Sequence, residues 1–154
     1  MDTVALSVEL LRVVNSAEEI LRLVSAEESS ASVLAGGWSR RQVIGHLIDS
    51  ASNNHQRFVR ASLADSLEFP GYEQNGWARV QAAEEVDWPL LVALWANYKR
   101  YLAHVIAHIP LAKLEVPCRI GGSEPVTLKF LAADYLHHMV HHLGQIGINA
   151  SHQL

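Results

Sequence analysis

The chain has 154 residues, 49% hydrophobic and 18% charged, with a formal net charge of -4. That is enough apolar material for a single packed domain over 1–154 and too much for a disordered chain. The mild acidity and the lack of a basic cluster exclude an electrostatic nucleic-acid surface, and no apolar run approaches the roughly 20 residues that span a bilayer.

A single cysteine, Cys118, allows no internal disulfide and suits a reducing cytoplasm. The first residues, Met-Asp-Thr-Val-Ala, show no basic region leading into an apolar core, so no signal peptide is expected.

From Thr3 to about Glu28, apolar residues recur at helical spacing (Val4, Val8, Leu11, Val14, Leu21, Val24) and predict one long helix. Ser16 to Glu19 matches a capping box, but the apolar period runs straight through it. Glu28 to Gly37, rich in Ser, Ala and Gly, reads as a loop. Trp38-Ser39-Arg-Arg-Gln42 is a start signal. Ser39 caps, Gln42 reaches back, and Trp38 is placed to staple onto Val43. The second helix runs to about Leu63.

A polar and aromatic connection follows from Asp65 to Val86, with a short helix expected near Gly76 to Glu84. Connections this long inside a compact domain are usually functional. Asp87-Trp-Pro89 starts the third helix, Trp88 to Ile109, ended by Pro110. Pro117 to Pro125, around Gly121-Gly122, predicts a small hairpin. Thr127 caps a fourth helix that continues to about Asn149. The fold class is therefore all-α, a four-helix bundle whose long connections argue against simple up-down hairpins.

Nine histidines are the compositional oddity, and four of them fall within residues 137–142. They form two pairs at i, i+4: His137 with His141, and His138 with His142. Residues four apart share a helical face, so either pair can grip one ion. On a helical wheel, Leu128, Leu131, Tyr135, Met139, Leu143 and Ile146 form the apolar face. His138 and His142 lie at its margin, while His137 and His141 turn to the polar side with Asp134. A third ligand is available on the second helix at His46. It heads a polar stripe of Ser50, Asn53 and Arg57 beside the apolar face of Ile44, Leu47, Ala51 and Phe58. Three neutral imidazoles from two helices suit a divalent metal with positions left open.

The remaining histidines, His55, His104, His108 and His152, are expected to be exposed or to cap helix ends. Asp134-x-x-His137 matches the spacing used by carboxylate di-metal bundles, but those need two such motifs and this chain has one. Cys118 is expected to be an inert thiol.

Two motifs, Trp38-Ser-x-x-Gln-Val-Ile-Gly-His46-Leu-x-Asp49-Ser and His138-x-x-His141-His142-x-Gly-Gln145-Ile, together resemble the DinB/YfiT-like superfamily of metal-dependent bundle proteins. Phe69-Pro-Gly-Tyr72-x-Gln-Asn-x-Trp77 between them looks like its DinB-like branch. The resemblance implies a four-helix bundle with a three-histidine site of His46, His138 and His142, the set the wheel selects. It also implies nickel or zinc as the ion and, in many members, a homodimer. Its characterised members are thiol-cofactor enzymes, bacillithiol transferases and a mycothiol-dependent isomerase. A low-molecular-weight thiol is thus a candidate cosubstrate, beside a small-molecule substrate.

Around the ion, Asp49 is placed to orient a ligand imidazole. Asn53 lies on the same stripe. Gln145 is placed to bind a water or ligand, and Arg57 to meet a substrate carboxylate. Tyr72 and Trp77 are expected to wall the pocket. Each also has an ordinary use: surface acid, interhelical hydrogen bond, rim salt bridge, packing over the bundle end. The alternative to an enzyme is a non-catalytic dimeric bundle that binds a metal or small molecule.

Overall fold

A computed structural model describes residues 1–33 and 37–150; the centre of the expected 28–37 loop and His152 lie outside them. Four long helices carry the fold: α1 (Thr3–Arg22), α3 (Arg40–Ser62), α5 (Trp88–Ala107) and α6 (Leu128–Gln145). Two short ones lie in the connections, α2 (Ala26–Ser30) and α4 (Gln74–Val80). Among the described residues no helix is long and apolar enough to cross a membrane.

Around the bundle, α1 packs on α5, α5 on α3, α3 on α6, and α6 back on α1. Helices α1 and α3 therefore sit across a diagonal, as do α5 and α6. Two of the three connections must cross an end of the bundle, which explains why they exceed hairpin length.

The expected capping signals hold at atomic detail. Ser39 Oγ accepts from the Gln42 amide at 3.2 Å, and Gln42 Oε1 accepts from the Ser39 amide at 2.9 Å. Asp87 Oδ2 accepts from the Leu90 amide, and Thr127 Oγ1 from the Phe130 amide. Trp38 packs against the core beside this cap.

Two boundaries differ from expectation. The first helix stops at Arg22 rather than Glu28, because a true capping box at Ser25 and Glu28 opens a separate α2. The Ser16–Glu19 match lies inside α1 and caps nothing. Helix α6 stops at Gln145 rather than Asn149. Gly147, with φ of 83°, ends it by letting the Ile148 amide reach back to the Leu143 carbonyl at 2.9 Å and the Gly147 amide to Gly144 at 3.1 Å.

The hairpin of β2 (Pro117–Ile120) and β3 (Val126–Thr127) forms as expected. It gains an unanticipated third strand, β1 (Leu67–Phe69), parallel to β2 with Phe69 opposite Ile120. This small sheet ties the two long connections together and fixes where the chain leaves for Tyr72.

The N-terminal turn of α3 is pinned by Arg41. Its guanidinium donates to the carbonyls of Glu84, Val86 and Ala26 and to Ser29 Oγ. Gly45 then lets the turn at 83–85 press onto α3, since a Cβ there would meet Ala83 Cβ at 3.0 Å. These contacts set the depth and rotation of the next residue, His46. Replacing the cap, Ser39→Ala, is expected to cost about 1 kcal/mol of stability. Urea unfolding should show an earlier midpoint with an unchanged slope.

Candidate metal centre

The site lies between α3 and α6, two adjacent walls of the bundle. His46 is buried, and His138 and His142 are half-buried. One ring nitrogen from each falls within 4.8 Å of the others. His46 Nε2 and His138 Nε2 stand 3.0 Å apart. Nitrogens bound to one tetrahedral zinc at about 2.0–2.1 Å lie about 3.3 Å from one another, so the triad fits an ion after small side-chain shifts. Among the described residues this is the cluster of three ligand-type side chains with that spacing.

Burial keeps the imidazoles uncharged. It pushes His46 down to about 4, helped by His142 and Lys99, and His138 down to about 3, helped by His142 and His46. His142 is lowered too, mainly by burial, although its bond to Gln145 works the other way. Neutral imidazole is the form that binds a metal.

The outward nitrogens are treated unequally. His142 Nδ1 lies 2.8 Å from Gln145 Oε1. His138 Nδ1 lies 3.4 Å from Ser50 Oγ. His46 Nδ1 is buried without a partner. A hydrogen bond at the second nitrogen fixes the tautomer and leaves Nε2 as the donor to a metal. Two of the three rings have one.

The remaining expected site residues divide. Gln145 touches the site through His142, within its own helix, and its Nε2 also lies 3.3 Å from His141 Nε2. Tyr72 stands 6.3 Å from His46, ring to ring, and Trp77 packs on Tyr72 at 5.0 Å, one step further out. Asp49 does not orient His46 as expected; it is buried and its Oδ1 accepts from Gln81 Nε2 at 2.9 Å. Asn53 bonds back to the Asp49 carbonyl and reaches no histidine of the triad by hydrogen bond. Arg57 forms no rim salt bridge; it is buried, with its guanidinium carbon 5.6 Å from the Phe69 ring centroid. His137 and His141 are exposed on the polar side with Asp134. His104 and His108 are exposed as expected, and His108 Nδ1 closes the helix end on the His104 carbonyl. His55 differs: it is half-buried against Tyr98, with Nδ1 2.9 Å from the phenol oxygen.

A cavity of about 240 Å³ opens beside His142. Trp38, Val43 and Ile146 give it apolar walls, and Gln74, Asn75 and Gln145 line it with amides. Trp38 has a second use that its stapling role hides: its ring lies 5.2 Å from His46 and covers it.

Residues 9–146 match the sequence profile of the DinB superfamily. This chain belongs to the DinB superfamily. A Bacillus licheniformis relative named "Putative metal-dependent hydrolase" is 29% identical over 138 residues, 84% of this chain and 77% of that protein. A Bacillus pumilus protein of the same name is 28% identical over 114 residues, 72% of this chain and 63% of that one. In fold, this DinB member is similar to YfiT from Bacillus subtilis, described as "a probable metal-dependent hydrolase with an unusual four-helix bundle topology". The TM-score is 0.82 at 20% identity, covering 94% of this chain and 83% of that one. The diagonal order of the helices found here accords with a topology of that description.

One group near the triad is absent from the sequence reading. Lys99 of α5 is wholly buried, with its amine 4.1 Å from the Tyr135 ring centroid and no hydrogen-bond partner; the Tyr135 hydroxyl is likewise buried and unpartnered. The signal is present on the helical wheel: Lys99 stands among Trp95, Ala96, Leu102 and Ala103 on the core face of α5. Burial holds its pKa well below the ordinary 10.5. Burial disfavours the charged amine in the folded protein but not in the unfolded chain, so this group makes stability rise with pH below 10.5. Lys99→Met is expected to stabilise the protein at neutral pH by about 1–3 kcal/mol. Urea unfolding at about pH 7 and about pH 9.5 should show a shallower rise with pH than the unsubstituted chain.

Proposed function

We propose that this chain is a metal-dependent enzyme. His46, His138 and His142 hold one divalent ion, zinc or nickel, and the reaction is hydrolysis of a small molecule admitted through the cavity beside His142. The convergence of three neutral imidazoles, with His142 on the cavity wall, carries the reading.

When bound, the ion supplies Lewis acidity and brings a coordinated water or thiol toward deprotonation near neutral pH. The chain's own residues do the rest. Gln145 holds His142 in one tautomer, and Ser50 does the same for His138. Trp38 shields His46, and with Val43 and Ile146 it keeps bulk water from the inner wall. Gln74 and Asn75 face the cavity as neutral hydrogen-bonding groups that can position a substrate.

One observation favours a second reading, thiol transfer, in which a thiol and not water is the nucleophile. The cavity lining carries no carboxylate to accept a proton from water, and Asp49 is occupied by Gln81. A low-molecular-weight thiol, as in the thiol-dependent enzymes that the motifs resemble, is nucleophilic with less help. The homodimer belongs to the proposal as well, supported by exposed Val4 and Val8 on α1 and Phe130 on α6.

The first test is metal content and affinity. The chain is expected to take up one equivalent of zinc or nickel by calorimetry. His46→Ala and His138→Ala should abolish stoichiometric binding, and His141→Ala should leave it intact. Gln145→Ala should weaken it about 10- to 100-fold. Loaded protein is then screened against activated esters and amides, and against electrophiles with added thiols. Turnover of the first kind supports the hydrolase and of the second the transferase. Tight metal with neither points to a non-catalytic binding bundle, and uptake unaffected by His46→Ala overturns the assignment.

A further inference from the structure

The polar stripe of α3 does not end at the histidines. It runs from His46 through Ser50 and Asn53 to Arg57, and all four are buried, at 1%, 2%, 8% and 9% exposure. A solvated helix edge would show the opposite. This stripe is an internal polar track, and its far end is a cation.

Arg57 makes no hydrogen bond or ion pair to any described residue, and its Nε is fully enclosed. Asp49, the carboxylate on the same stretch of helix, is held by Gln81. The ring of Phe69 covers the guanidinium at 5.6 Å. Arginine cannot discharge by losing a proton at accessible pH, so it cannot escape the cost of burial as a lysine can. A buried cation without a counter-charge is costly. Its fork of donors matches a planar oxyanion at two points.

Arg57 is also coupled to the triad. Side chains on a helix lean toward its N-terminus, here toward His46. Tyr72 stands beside both ends: its ring lies 6.3 Å from that of His46, and it is within electrostatic reach of Arg57. Along the helix axis the eleven residues from His46 to Arg57 span roughly 16 Å before the long side chain reaches back. The distance suits the two ends of one small ligand.

We propose that Arg57, with the hydroxyl of Tyr72, is an oxyanion-recognising subsite, and that the compound acted on at the triad carries a carboxylate or phosphate group. Arg57 fixes that group and so orients the remainder toward the histidines. The substrate class rests on the function proposed above, but the anion subsite does not require the metal.

The test uses the full chain, metal-free and zinc-loaded, titrated with propionate and with inorganic phosphate at constant ionic strength set by sodium chloride. Calorimetry and thermal unfolding are read together. Saturable one-site binding of one of the two anions is expected, with a raised Tm, and the anion that binds identifies the group. Arg57→Met should weaken it at least tenfold, and His46→Ala should keep it. Loss of metal binding with anion binding retained would remove the enzyme reading alone. No saturable binding of either anion, or equal binding by Arg57→Met, overturns the subsite. Should Arg57→Met not fold, Arg57→Lys carries the test, since it keeps the charge and loses the two-point fork. Binding at least tenfold weaker supports the proposal, and unchanged binding overturns it.

Discussion

The 3.0 Å approach of His46 Nε2 to His138 Nε2 sets the terms for the rest of the molecule. Two rings from different helices meet nitrogen to nitrogen, with a third, His142, 4.6 Å from His46 between ring centres. Such a meeting is tolerable only while the rings stay uncharged, because two adjacent buried imidazolium ions would repel and lose their hydration. Burial supplies that condition. The α3–α6 contact must therefore be close enough to exclude water yet open enough at the rim for His142 to reach a cavity. The graded burial of the triad, from enclosed His46 to half-exposed His142, is the compromise.

That compromise depends on the rotation of α3, which is fixed from outside the bundle. A turn of one residue would move His46 by about 100° and send it into Leu47's place in the core. The Ser39–Gln42 capping box starts the helix at one residue and no other. Arg41 then ties that first turn to two separate segments, and Gly45 admits the 83–85 turn against the helix. The site owes its geometry to a cap, an arginine clamp and a missing Cβ, none of which touches a ligand nitrogen.

The helices and their starts are legible in the sequence because caps and apolar periods are local, and the three histidines stand out because the wheel converts spacing into facing. What is not legible depends on tertiary contact. Strand β1 is three residues long, too short for an alternation to show, and exists because β2 is beside it. The partner of Asp49 is Gln81, from a connection whose path is set by Arg41 and by packing on α3. Spacing alone offers His46 as the nearer partner, one turn away. The end of α6 is a different case: Gly147 stands in the sequence as a stop signal, and the apolar Ile148 beyond it imitates a continuing helix.

The interior divides into two chemistries. Toward α1 it is mostly apolar, with Leu10, Val13, Val14, Ala17 and Leu21 fully buried, and the buried polar groups Ser7 and Glu18 have partners in the Ala103 carbonyl and in Arg22 and Arg100. Toward α3, α5 and α6 it holds His46, Arg57, Trp95, Lys99 and Tyr135, each with a buried nitrogen or oxygen that lacks a partner. Unpaired buried polar atoms are destabilising, and a structural bundle has no use for five of them in one half of its core. One of them, His46, belongs to the triad, and there the stability cost is borne where the proposed chemistry is placed. The apolar α1 side and the four-way helix packing supply the stability that offsets it. The bundle is thus asymmetric in packing as well as in topology: one half of the core is mostly apolar, and the other holds buried nitrogen and oxygen atoms with no partner among the described residues.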